Sequence, residues 1–157
     1  MFDNPDFDFQ NDNYVVIQDS KCESRYFFAD PSTIITPPEN KVDLPSKDVC
    51  FTVAWSDLSN IIKAASIYQI ADLAVVGNGS DIKLLVSDKK NKTSNSYAVT
   101  VGTTDAKFTF NFKVENLKLL PADYEVTISK QNASLFRDPK RDLEYLIALE
   151  PDSVYNA

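Results

Sequence analysis

The stretch VCFTVAWSDLSNIIKAASIYQI at 49–70 decides the fold, and FTFNFKVENLKLLPADY at 108–124 repeats its plan. In the first, Val49, Phe51 and Val53 alternate as a strand does. Leu58, Ile61, Ile62 and Ala65 then recur at helical spacing, continued by Tyr68 or Ile70. Trp55 stands at the junction, and Ser56 and Asp57 fall in the first turn, where the positive end of a helix dipole favours them. The spacing predicts a helix over Trp55–Gln69 with Asn60 and Lys63 on its polar face. In the second stretch Phe110, Phe112, Val114, Glu115, Asn116, Leu117 and Leu120 echo Phe51, Val53, Trp55, Ser56, Asp57, Leu58 and Ile61, each 59 positions later. A second, shorter helix is expected over about Glu115–Leu119, stopped by Pro121. Seven matches by residue class also arise by chance, but an internal duplication is the favoured reading.

Strands are expected downstream of each helix. They fall near Asp72–Gly77, Asp81–Ser87 and Ser94–Val101 in the first copy, and near Tyr124–Ser129, Ala133–Phe136 and Leu143–Leu149 in the second. Each half therefore reads strand, helix, strands, which makes the class α+β. Upstream, Ala29–Ser46 contains four prolines in 18 residues and no period, so it reads as an extended linker and a domain boundary. Before it, Tyr14–Gln18 and Glu23–Phe28 read as two strands around a turn at Asp19-Ser20-Lys21.

Composition narrows the function. The chain of 157 residues has no His, which removes the usual general base and the commonest metal ligand together. Three glycines leave no phosphate-cradling loop, and Cys22 and Cys50 make no zinc site without partner ligands, so no cofactor, metal or catalytic residue is expected. Asp6, Asp8 and Asp12 lack the Gly and Glu that a calcium loop needs. The two cysteines are expected reduced and partly packed in strands. Asn78, Asn91 and Asn132, each two residues before a Ser or Thr, read as turn residues. No apolar run approaches the length of a membrane span.

The net charge of −7 is unevenly spread: residues 1–40 hold a balance of −6 and residues 41–157 only −1. The acidity therefore does not argue against a polyanionic partner for the larger part. Lys63 lies on the polar face of the first helix, and Lys113 and Lys118 border the second. Any amphipathic helix has such a solvated face. If the two copies are symmetric, however, both helices share one side, and Lys63, Lys118, Asn60 and Asn116 form a surface suited to loose contact with a phosphate backbone.

The chain resembles the C-terminal part of the T-even-type bacteriophage DNA polymerase sliding clamps. The likeness rests on Asp30-Pro31-Ser32-Thr33, Asp57-Leu58, Gln69-Ile70, Phe108-Thr109-Phe110, Asn116-Leu117-Lys118-Leu119 before Pro121, Tyr124, and Ala148-Leu149-Glu150-Pro151-Asp152-Ser153. It implies the DNA clamp fold, with two helices on one face of antiparallel sheets. Residues 1–30 would be the last strands of a truncated first clamp domain, 31–46 the interdomain linker and 47–157 the second clamp domain. A truncated chain or an incomplete reading frame is the expectation at Met1.

The resemblance implies a non-enzymatic processivity factor in the cytoplasm of an infected bacterial host, closing as a homotrimer around duplex DNA. Its partners would be the replicative polymerase and the clamp loader, with no membrane. Lys63, Lys118, Lys113, Asn60 and Asn116 would face DNA, although Ser66 stands where a further basic residue is expected. A partner peptide would dock between Ile34, Ile35 and Leu44 of the linker and Leu146, Ala148, Leu149 and Pro151, because a proline-rich linker must lay its isoleucines against a sheet. Ser94, Ser96, Val99 and Val101 would mark the edge strand at the subunit interface. With its first domain incomplete, the chain is expected to be a monomer or a non-native dimer. The rival readings are a phage structural β-protein or a small-molecule-binding β-barrel.

Overall fold

The computed structural model describes residues 2–36, 43–91 and 93–156, so residues 37–42 of the expected linker lie outside the described residues. The chain divides into two units, Met1–Val42 and Asp43–Ala157. In the first, strands β1 (Asp6–Asp8), β2 (Tyr14–Gln18) and β3 (Glu23–Phe27) form an antiparallel sheet in that order. The acidic, aromatic opening of the chain thus adds a strand that its irregular period had hidden. Tyr14 and Phe27 oppose one another across the sheet with ring centroids 5.1 Å apart. Pro31–Thr33 form one 3₁₀ turn, capped by Asp30 accepting the Ser32 N–H at 2.8 Å.

The second unit is one plan built twice. The first copy runs β4 (Val49–Val53), α1 (Trp55–Tyr68), β5 (Asp72–Asn78), β6 (Asp81–Ser87) and β7 (Ser96–Thr103). The second runs β8 (Lys107–Lys113), a 3₁₀ turn (Val114–Asn116), β9 (Tyr124–Ser129), β10 (Ala133–Asp138) and β11 (Leu143–Ala148), and the short β12 (Val154–Asn156) follows. The opening strand of each copy joins the other copy's sheet, giving the orders β11-β10-β9-β4 and β12-β8-β5-β6-β7.

Register establishes the duplication. Val49, Phe51 and Val53 oppose Ile128, Val126 and Tyr124, while Phe108, Phe110 and Phe112 oppose Gly77, Val75 and Leu73. A shift of 59 along the opening strands and 51 along their partners maps one ladder onto the other without a slip. The difference of eight residues is lost between the strands, where the first copy has 54–71 and the second only 114–123.

That loss corrects the expectation of a second helix. Over Glu115–Leu119 the chain makes only the end of one 3₁₀ turn. Leu117 and Leu119 are buried while Lys118 and Leu120 are exposed, an alternation of two that belongs to extended chain. Pro121 forbids a longer helical run.

Helix α1 buries Leu58, Ile61, Ala64 and Ala65 and lies against β6 and β7. Its N-cap is Ala54, whose side chain has no acceptor, and the Trp55 N–H is taken by Asp123 Oδ1 at 2.9 Å. Gln69 closes the helix in the left-handed region (φ 55°), with its N–H on Ser66 C=O at 3.2 Å and the Ile70 N–H on Ala65 C=O at 2.9 Å. The core between α1 and the sheets includes Phe108, Phe110, Phe112, Tyr124 and Phe136, the last meeting Phe112 and Tyr124 edge-on.

Both cysteines are free and exposed, against the expectation that they pack in strands. Cys22 precedes β3, and Cys50 takes an outward position of β4, where Val49 and Val53 point inward. Asn78 and Asn91 accept backbone N–H groups two residues on, and Asn132 sits at φ 60°, so all three asparagines are turn residues.

Candidate nucleic-acid interface

Two segments cross between the sheets of the second unit. Residues 54–71 leave β4 at Val53 and enter β5 at Asp72, and residues 114–123 leave β8 at Lys113 and enter β9 at Tyr124. Val53 pairs with Tyr124 and Asp72 with Lys113, so the crossovers share both ends and run in opposite directions. They are tied at each end, by the Trp55 N–H on Asp123 and by the Val114 N–H on Ala71 C=O at 2.9 Å.

On this pair of crossovers Asn60, Lys63, Asn116 and Lys118 are exposed. Among the described residues neither Lys63 nor Lys118 forms an ion pair, so both ammonium groups are available to a ligand. Lys113 differs from the other two. Its Nζ stands 2.6 Å from Asp72 Oδ1, and that hydrogen bond, with the carboxylate charge, raises the ammonium pKa. It is a strut at the shared end of the crossovers, and its charge is already answered. Glu115 is also exposed here, so the surface is only mildly basic.

Further cations lie at the two ends of the crossovers. At one end a cleft of about 520 Å³ separates Gln69–Asp72 from Lys89, Lys90 and the tail at Glu150–Asp152. At the other, about 330 Å³ separates Trp55 and Asp123 from Lys140 and Arg141. Lys89 pairs with Asp152 at 2.9 Å and holds that carboxyl below its usual range. Arg141 pairs with Asp138, lowering its pKa, and donates to Pro121 C=O at 3.2 Å. Lys90 and Lys140 make no ion pair among the described residues. Their signal was present in sequence as DKKNK at 88–92 and DPKRD at 138–142, which read simply as polar turns.

The remaining candidate residues separate. Strand β7 is the edge of the five-stranded sheet and carries Ser96, Val99 and Val101, but Ser94 belongs to the turn before it, bonded to Asn91 C=O at 3.1 Å. Leu146 and Ala148 point outward from β11, and Pro151 is exposed. Leu149 is a core residue, 6% exposed, and cannot receive a peptide. Leu44 is half-buried, whereas Ile34 is exposed and Ile35 is 95% exposed, so neither isoleucine is a buried side chain. Among the described residues no three Cys, Asp or Glu side chains group to hold a metal, and no helix is long and apolar enough to cross a membrane.

Solved structures share this fold. PCNA of A. fulgidus, bound to the C-terminal region of FEN-1, superposes at a TM-score of 0.53 with 12% identity, over 96% of this chain and 65% of that one. A putative DNA polymerase III beta subunit from Eubacterium rectale superposes at 0.54 with 11% identity, over 89% and 40%. In sequence, the chain is 29% identical to the sliding clamp of Vibrio phage KVP40 and 27% identical to that of Enterobacteria phage T4. These alignments cover 96% and 92% of this chain but 70% and 66% of the relatives. The family described as gp45 sliding clamp, C terminal, matches residues 50–151, the span of the duplicated unit. The chain belongs to the gp45 sliding clamp family.

Proposed function

We propose that the chain is a subunit of a DNA polymerase processivity factor: a ring component that encircles duplex DNA and tethers a phage replicative polymerase without catalysing a reaction. The observation that supports this best is the pair of crossovers tied at both ends, on which Lys63, Lys118, Asn60 and Asn116 are all exposed. A topological tether needs few phosphate contacts, since each adds affinity that opposes sliding. Two unpaired lysines and an exposed Glu115 fit that requirement. Lys113 contributes by bracing the crossovers, and Lys90 and Lys140 extend the cationic surface at their ends.

In this reading residues 1–30 are the last strands of a first clamp domain, 31–46 the linker and 47–157 the second domain. The β7 edge joins a neighbouring subunit of a homotrimer. Leu146, Ala148 and Pro151, with the exposed Ile34 and Ile35, offer apolar anchors to a polymerase or clamp-loader peptide. The protein would work in the cytoplasm of the infected bacterium.

Fluorescence anisotropy on a short duplex across a salt series tests the DNA reading. Lys63→Ala and Lys118→Ala should each reduce the slope of log K against log salt by about 0.9. Lys113→Ala should leave the slope unchanged. Unaltered slopes in both of the first two variants would overturn the reading.

A further inference from the structure

The first unit repeats, strand for strand, the meander that ends the second. Strands β1, β2 and β3 are neighbours in chain order, as β9, β10 and β11 are. In the first meander Asp8, Val16 and Arg25 form one row across the sheet, and in the second Glu125, Arg137 and Glu144 do. Laying one row on the other carries the opposed pair Val15 and Tyr26 onto the opposed pair Phe136 and Tyr145. The same step carries Phe7 and Phe9 onto Tyr124 and Val126. In the second unit Tyr124, Val126 and Phe136 are core, and Tyr145 packs against it.

In the first unit these positions lie open. Phe7, Phe9 and Tyr26 are 50–67% exposed, and Phe7 stacks on Phe9 at 6.2 Å. The opposite face holds Asp6, Asp8, Glu23 and Arg25, so charge and apolar surface are segregated. Strand β1 is also an edge, paired with β2 alone. In the second unit the corresponding edge of β9 is filled by β4, with Phe51 opposite Val126 and Val53 opposite Tyr124. The chain then runs into α1, which buries Leu58 and Ile61 in the core. Among the described residues ahead of the linker there is no fourth strand and no α-helix to do the same.

We propose that β1 and the apolar face beside it seat a segment of a second polypeptide: a strand that pairs with β1, followed by an amphipathic helix that covers Phe7, Phe9 and Tyr26. The proposal rests on reading residues 1–30 as the last strands of a clamp domain, and it names what completes them. Strand β4 and helix α1 give the pattern of the occupant, alternate apolar residues and then apolar residues at helical spacing. Charge gives the rest. Thr52 opposes Glu125, so the occupant's residue in that place opposes Asp8, and the residue two places on opposes Asp6. Both are basic in the occupant. A second copy of this chain fits badly, because two β1 strands paired about Phe7 would set Asp6 of one against Asp8 of the other. The phage relatives run well beyond the spans aligned with this chain, which is room for one such segment.

The probe is a synthetic peptide with the sequence of residues 49–70 carrying Cys50→Ser, Thr52→Lys and Ala54→Lys, and its affinity for the full chain is read by fluorescence anisotropy. At ten times its dissociation constant it should slow hydrogen exchange of the β1 amides by about tenfold and leave those of β5 and β8 unchanged. In the chain, Asp8→Lys should weaken binding by about tenfold. Glu23→Lys makes the same charge change on the same face two strands away and should leave binding unchanged. Phe7→Asp should abolish it. Absence of protection at β1, equal weakening by Asp8→Lys and Glu23→Lys, or protection that appears at β9 in place of β1 would overturn the proposal. So would concentration-dependent protection of β1 without peptide, which would assign the face to a second copy. No DNA enters this measurement, so its failure leaves the salt-slope test of the DNA reading standing, and the reverse holds too.

Discussion

Gly77 lies on β5 opposite Phe108, and a Cβ there would stand 2.4 Å from the Phe108 ring. That ring is held by Phe110 at 5.0 Å and Tyr155 at 6.2 Å, so it has nowhere to swing. Gly77→Ala should destabilise the domain by about 1–3 kcal/mol, measured by urea unfolding. Asp138 is a second single-residue determinant, buried beside Arg141, which lowers its pKa in the fold. A carboxyl depressed by folding stabilises above its unfolded pKa and loses that effect as the pH falls through its folded value. The wild type should therefore melt higher than Asp138→Asn at pH 7, and the gap should close below about pH 4. At this scale the helical positions were legible, because Asn60 and Lys63 follow from a period of 3.6. Leu149 was not, since an apolar residue after a strand reads alike whether it anchors a peptide or completes a core.

Among the elements, α1 was legible almost to the residue, from Trp55 to Tyr68 against an expected Trp55–Gln69. Its N-terminal partner was hidden, because Asp123 lies 68 residues away and no local pattern connects them. Asp123→Ala should cost about 0.5–2 kcal/mol in chemical denaturation, the range for losing a helix cap. It should also loosen the tie between the crossovers. The second crossover was misread because its polar–apolar sequence admits two periods over so few residues. Burial of Leu117 and Leu119 chose the shorter one. Strand β7 was legible from its pattern, whereas its place at the edge followed only from the family resemblance, and its start moved from Ser94 to Ser96 because Asn91 draws Ser94 into a turn.

In the whole molecule stability is unevenly placed. Of the described hydrophobic residues ahead of the linker only Val15 is buried, whereas the duplicated unit holds the continuous core. Amides of β1–β3 should exchange with solvent at least about tenfold faster than those of β5, β8 and β9, as read by hydrogen-exchange mass spectrometry. Comparable protection in all of them would contradict this distribution. The plan of an opening strand, a crossover and further strands, built twice, was legible from the 59-residue echo. The exchange of opening strands between the sheets was not, because strand pairing is set by contacts distant in sequence.

The two crossovers join the same pair of anchor points with 18 and ten residues. A 14-residue helix advances about 21 Å, and ten residues in a nearly extended chain can reach about 33 Å, so either satisfies the gap. The strands thus fix an aperture, and what spans it is an interchangeable rung. Insertions and deletions between β4 and β5, or between β8 and β9, can accumulate over generations without disturbing the register on which the sheets depend. A copy of α1 grafted between Lys113 and Tyr124 would restore the molecule's inner symmetry, and with it a second helical face whose width and charge could be chosen.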